Sequence, residues 1–219
     1  MINRKVSPWL AGFGTAATTL GLLSAAPAQA DTFVPLPGGE ISRTLTDGTV
    51  VTVRLVSESA TISPSMGSTP VHRNAWVSGR AEARVSGSVQ KGEIQPGYVV
   101  GCQVNISGGG VNGGASGKSD WEGNASGGLT SGANLSLGPG QATSFVILDR
   151  EVANRFGEEA HSPRNPFKGT DGSVTWSDST IGLTGCGGYA QARAFVKVKV
   201  QTETVKTTVT LWGQPFSLG

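Results

Sequence analysis

The stretch Ala194–Leu211, AFVKVKVQTETVKTTVTL, decides the fold class. Val196, Val198 and Val200 share one parity with Lys197 and Lys199 between them, and Val205, Val209 and Leu211 follow. Successive side chains of a strand point to opposite faces, so a period of two in a Val- and Thr-rich run describes a half-buried strand. The pattern recurs upstream. In Thr49–Val56, Val51, Val53 and Leu55 oppose Thr52 and Arg54; in Arg80–Ser88, Ala81, Ala83 and Val85 oppose Arg80, Glu82 and Arg84. Thr143–Leu148 is a further short apolar run. Only Asp149–Phe156 has the composition for a helical turn or two. Glu158–Asp171, with two prolines and many charges, reads as an exposed loop, so 151–171 is expected to decorate the surface. The chain is expected to be all-β.

The amino terminus has a different character. Arg4 and Lys5 precede an apolar or small run from Trp9 to Ala26, which closes on Ala28-Gln29-Ala30. That is the layout of a secretory signal peptide, expected over residues 1–30 and removed after Ala30. The full chain has 17 Lys+Arg and 15 Asp+Glu, and losing Arg4 and Lys5 leaves 15 against 15. The surplus of positive charge belongs to the leader, so nothing in the balance calls for nucleic acid as a partner. The remaining 219 − 30 = 189 residues suit one domain, or one domain with an appendage. No later apolar stretch approaches the ~20 residues of a spanning helix, so any contact with a bilayer has to be made by β-structure. Cys102 and Cys186 are expected to form a disulfide in an exported chain, the alternative being two buried thiols.

The segment 100–140 is unlike the rest, and the excess of glycine is concentrated between Gly92 and Gly140. Its even positions run Val100, Cys102, Val104, Ile106, with Gln103 and Asn105 between; on the far side Leu129, Ala133, Leu135 and Leu137 alternate with Thr130, Gly132, Asn134 and Ser136. Folding Ile106 against Leu135 and Val104 against Leu137 makes a hairpin that turns around Asp120 and Trp121. Val104, Ile106, Leu135 and Leu137 then share one face, and Gln103, Asn105, Asn134 and Ser136 the other. An apolar face backed by an uncharged polar one is what a transmembrane barrel strand needs for lipid and lumen. A Gly-rich surface hairpin or linker accounts for the same composition. One hairpin cannot close a barrel, so the channel alternative requires several chains to contribute two strands each.

Several motifs resemble the MspA-like porins. Trp76-Val77-Ser78-Gly79-Arg80-Ala81, then Pro96-Gly97-Tyr98-Val99-Val100-Gly101, is similar to that family's "SGRA … GYQ-G" segment. Ile181-Gly182-Leu183-Thr184-Gly185-Cys186-Gly187-Gly188 and the closing Leu211-Trp212-Gly213-Gln214-Pro215-Phe216 resemble its "G-x-x-x-G" entry into the last strands and its terminal "YG-x-PW". Leu137-Gly138-Pro139-Gly140 resembles its return from stem to rim. The resemblance implies a goblet-shaped homo-oligomer, an octamer by type, in the outer membrane of a mycolate-bearing envelope. Each protomer gives a β-sandwich rim domain (31–99 and 141–219) and one stem hairpin (100–140, tip near 118–123) to a shared transmembrane barrel. It also implies a constriction at the tip, which here falls on Asp120 and Glu122 with Lys118 and Trp121 beside them. Lys118 departs from the acidic tip, the stem is richer in Gly than the family pattern, and the 151–171 segment is longer. Cys102 and Cys186 are not expected of the family.

Catalytic patterns are thin. His72 and His161 lie in separate Pro-containing segments, Glu158-Glu159-Ala160-His161 sits in a charged loop setting, and Gly108–Gly114 lacks the Lys-Ser/Thr of a phosphate loop. Asn105, Asn124 and Asn134 open Asn-x-Ser triplets, read here as lumen or turn polarity. Trp76 and Trp212 are expected to pack in the rim, and Trp176 has no assignment. The function expected is passive diffusion of small hydrophilic solutes and ions through a porin, with outer-membrane lipid and further copies of itself as partners. No catalytic residue, metal or cofactor is expected. The alternative is a soluble secreted β-sandwich that binds a partner or the envelope.

Overall fold

The computed structural model describes residues 31–64, 71–104, 132–137, 140–153, 156 and 159–219. The expected signal peptide 1–30 lies outside that set, as do Asn105, Ile106, Lys118, Asp120, Trp121 and Glu122.

Eleven strands and no helix make up the described residues: β1 (Thr32–Pro35), β2 (Gly39–Thr44), β3 (Val50–Pro64), β4 (Arg73–Cys102), β5 (Gly132–Ser136), β6 (Ala142–Val146), β7 (Arg150–Ala153), β8 (Glu159–Ser162), β9 (Asn165–Thr184), β10 (Ala190–Gln201) and β11 (Lys206–Ser217). The chain is all-β. The 194–211 stretch is the β10–β11 hairpin, with Val198 opposite Val209 and Gln201 opposite Lys206.

β4, 30 residues long, is the spine of the sheet. Its first half pairs with β3 (Val51 opposite Val85, Pro64 opposite Arg73), and its second half pairs with β10 (Gln201 opposite Lys91, Ala190 opposite Cys102). β9 follows the other edge from Arg73 to Ile94, and β6 continues it from Gly97 to Gly101.

The buried positions of β4 explain how one strand serves two layers. Ala75, Val77, Ala81, Ala83, Val85 and Val89 are odd-numbered; Ile94, Tyr98, Val100 and Cys102 are even. The parity changes where the β4–β9 register slips, between Arg84 and Val89 and again between Val89 and Gly92. An extra residue in one strand of a pair bends it and increases its twist. The second half of the sheet therefore curls over the first. A Cβ placed at Gly39 of β2 would stand 3.5 Å from a methyl of Leu211, and one at Gly213 of β11 would stand 3.3 Å from a methyl of Leu55. The sandwich is thus one nine-stranded sheet folded on itself, with Val51, Val53, Leu55, Val196, Val198, Leu211 and Phe216 inside. At about 1.5–3 kcal/mol for each fully buried Val, Leu or Phe, this core supplies the main stabilising term.

Two expectations are corrected. The 151–171 segment is not a loop: β7 and β8 form a two-stranded hairpin with Glu151 opposite His161, and β9 already runs from Asn165. Nor does 149–156 form a helical turn, because β7 occupies Arg150–Ala153. Short strands separated by few residues carry too little pattern for their charges to be told from those of a loop.

Candidate functional site: where the central segment leaves the sheet

The central segment departs from the carboxyl end of β4 and comes back at β5. Its departure is tied on several sides. The Gln103 amide donates to the Tyr189 carbonyl (2.9 Å), and the Gly187 amide donates to the Val104 carbonyl (2.9 Å). The Gly140 amide, on the return side, is 3.2 Å from both the Cys102 and the Gln103 carbonyls, and the Cys102 amide donates to Gln141 (3.2 Å). Chain leaving at Val104 and chain arriving at Gly140 therefore share one point of the sheet. Gly140, at φ 67°, takes the left-handed conformation that this return requires.

Cys102 and Cys186 are bridged at that same point, with Cα atoms 5.9 Å apart and 84 residues between them in sequence. The bridge joins β4 to the Gly-rich turn between β9 and β10, and the Cys186 amide further donates to the Val71 carbonyl (2.8 Å). The disulfide anticipated from export is present.

The hairpin register anticipated for 100–137 rests in part on Ile106, which lies outside the described residues. β5 runs parallel to β9, with Gly132 opposite Thr180, Leu135 opposite Leu183 and Ser136 opposite Thr184. Asn134 correspondingly stands opposite Gly182, not across from the 100–106 arm. Leu137, expected to face lipid, is 3% exposed and belongs to the core. An alternating apolar pattern states that a strand has a buried face but not which strand covers it. The end of β9, with Ile181 and Leu183 buried, lies beside β5. Gln103 is exposed, and Val104 is 45% exposed, one of few large apolar side chains left on the surface.

A second cluster, missed from sequence, lies between the two layers. Glu58 is 2% exposed, and neither carboxylate oxygen has a hydrogen-bond partner among the described residues. Burial pushes its carboxyl up to about 7. A β-bulge aims it inward: the β3–β4 register slips between Val56 and Ser59, and Ser57 takes a positive φ of 54°. Val51, Val53 and Leu55 are buried before the bulge, Glu58 and Ala60 after it, so the parity changes here too. Across the interface Gly213 leaves the room, since a Cβ there would sit 3.0 Å from Glu58 Oε2. Tyr98 is fully buried nearby; its hydroxyl accepts from the Trp176 indole (3.2 Å) and is pushed upward, first by burial and then by the Glu58 charge. The Trp176 ring lies flat over Gly79, where any side chain would collide with it, which accounts for the glycine of the Ser78-Gly79-Arg80-Ala81 run.

The remaining residues read from sequence are dispersed. Trp212 is 45% exposed; its ring meets Phe195 edge-on (centroids 5.8 Å apart) and carries the Arg193 guanidinium at 5.3 Å, while Trp76 is half-buried. His161 pairs with Asp149 (2.8 Å) across the β7–β8 hairpin, far in sequence from His72. Among the described residues no three His, Cys, Asp or Glu side chains gather as they would around a metal ion.

Compared with known proteins, residues 47–217 match the family model described as MspA, a span that reaches from the start of β3 to the end of β11 and includes the whole central segment. No curated protein matches the chain.

Proposed function

The chain belongs to the MspA family, and from that premise we propose that it is one protomer of a homo-oligomeric, water-filled channel of the outer membrane, open to small hydrophilic solutes and ions. The observation that carries this reading is the anchorage of the central segment where it leaves β4, with Gln103 and Val104 hydrogen-bonded to Tyr189 and Gly187 beside a disulfide. A segment held in this way projects as a unit from the same place on every copy. Copies arranged around an axis, eight by resemblance, then bring their segments together into one closed barrel.

The placement of β5 shortens the membrane part. β5 occupies Gly132–Ser136 against β9, so the arms proposed for the 100–140 stem lie between the end of β4 and β5, on either side of a tip near 118–123. Two arms of about 11 residues and a short turn fit there, enough for the ~9–11 residues of a spanning strand. In this arrangement Ile106 and the exposed Val104 face lipid, and Gln103 and Asn105 face the lumen. Lys118, Asp120, Trp121 and Glu122 ring the narrow end. Each charge is repeated in every copy, so one carboxylate becomes a ring of negative potential, partly offset by Lys118.

The test is electrophoresis without boiling, followed by planar-bilayer recording. A heat-labile high-mass band with discrete conductance steps is expected, and Asp120→Asn with Glu122→Gln is expected to lower the preference for cations. An unchanged reversal potential removes these two residues from the constriction. A monomer that is indifferent to detergent and silent in bilayers overturns the channel and favours a secreted binding module.

A further inference from the structure

We propose that the end of the β4–β10–β11 surface remote from the disulfide holds a binding site for a small multivalent oxyanion, a phosphorylated or polycarboxylate solute, in a recess edged by Lys91, Arg164, Lys199 and Lys206. The recess has a volume of about 160 Å³, and Glu93 and Gln201 complete its lining on the polar side.

The sheet register assembles it. Gln201 of β10 stands between Lys91 of β4 and Lys206 of β11, so these three form one row across the sheet. In the next row on the same face Lys199 stands between Glu93 and Thr208. Arg164, just ahead of β9, reaches in from the far edge with Nη1 3.9 Å from Glu93. Four cations therefore meet one carboxylate, a local excess of 4 − 1 = 3 positive charges. Glu93 is engaged by Lys91 (3.1 Å) and Arg164, which leaves Lys199 and Lys206 with no ion pair among the described residues.

The acids nearby offset only part of this excess. Asp47 faces the β10–β11 turn, where its carboxylate accepts from the Thr202 hydroxyl (2.7 Å), the Thr49 amide (3.0 Å) and the Thr204 hydroxyl (3.4 Å); these hold its pKa below the usual carboxylate range, so it stays ionised with its oxygens engaged by those donors. Glu203 lies in the turn itself and is exposed. Lysines brought side by side on a sheet repel one another, so an anion bound between them relieves that repulsion in addition to its direct attraction. Multivalency matters because the ammonium groups are largely solvated. A monovalent ion gains little from any one of them, whereas a di- or trivalent oxyanion spans two rows and also accepts from the Gln201 amide.

The location separates this site from the central segment. Lys91 and Cys102 are the two ends of the β4–β10 ladder, 11 residues or about 35 Å apart at ~3.3 Å per residue. The site is a property of the single protomer and does not depend on the channel reading.

The experiment is a titration of the full chain in detergent with pyrophosphate, followed by calorimetry and by amide chemical shifts at low salt. Saturable binding at one site per chain is expected, with shifts confined to 91–93, 164 and 199–206 and affinity falling as salt rises. Lys199→Gln with Lys206→Gln is expected to weaken binding at least tenfold. Lys197→Gln removes a charge from the same face outside the recess and should change it less than twofold. Absence of saturable binding to the unaltered chain overturns the proposal, as does an equal loss in Lys197→Gln, which reduces the effect to general charge. Should the double variant lose its fold, the single Lys206→Gln is read instead, with a loss of threefold or more expected. Conductance without pyrophosphate binding removes the site and leaves the channel; binding without conductance does the reverse.

Discussion

The two halves of β4 carry charge in different ways. Along the first half Arg54, Arg80 and Arg84 face acids: Arg54 lies 3.0 Å from Glu40 and 3.8 Å from Glu82, Arg80 lies 3.0 Å from Glu82, and Arg84 lies 3.7 Å from Asp171. Along the second half Arg193, Lys197, Lys199 and Lys206 stand on β10 and β11 with Glu93 as the acid in reach of the cluster. The first arrangement satisfies itself and helps to set the register of β3, β4 and β9. The second leaves positive charge for something else to neutralise. One strand can therefore build a closed structural face and an open interactive one, because the bulges around Val89 turn its two halves to different neighbours.

The largest effect is expected at the far end of the second half. Cys102→Ala with Cys186→Ala removes a bridge that closes a loop of 84 residues and should cost about 4 kcal/mol, seen as a lower denaturation midpoint. Amide protection should fall first around 100–104 and 186–192 and hold in the first half. Uniform loss would mean that the two halves are not separable units.

Glu58 tests the seam between the halves. Its carboxyl keeps a proton up to about pH 7 when folded, whereas the unfolded chain releases it near 4.5. Between those values the folded state binds the extra proton, so stability is full below about 4.5 and declines as pH rises toward 7. The decline is on the order of 3 kcal/mol. Glu58→Gln should flatten it, measured as the midpoint of urea unfolding from pH 4 to 8. A slope that persists in the variant assigns the titration to another group.

The smallest effect is expected on the closed face. Asp171→Asn breaks an ion pair whose members are both 67% exposed, and the melting temperature should hardly move, since such pairs contribute about 0–1 kcal/mol. A larger loss would show that the paired face works as a network.

The strands with unbroken alternation were readable because period two needs no partner to be recognised: the β10–β11 stretch, Thr49–Val56 and Arg80–Ser88 all lie in strands as expected. The disulfide followed from export and two cysteines. Glu58 was not readable as buried, because a bulge is one residue of local geometry and reverses every assignment after it. The basic recess was not readable either, since Lys91, Arg164, Lys199 and Lys206 are up to 115 residues apart and meet through register.

By itself the sequence determined that this protein is all-β, that its family is MspA-like, and that 100–140 stands apart from the rest in composition. The tertiary structure alone decided that 132–136 pairs with β9. Leu135 and Leu137 were apolar at the right spacing for either role, and the choice between lipid and core turned on which surface could cover them. The backbone of 132–136 pairs with β9 and Leu137 is buried, and apolar burial is non-directional: it selects whichever partner removes the most surface from water.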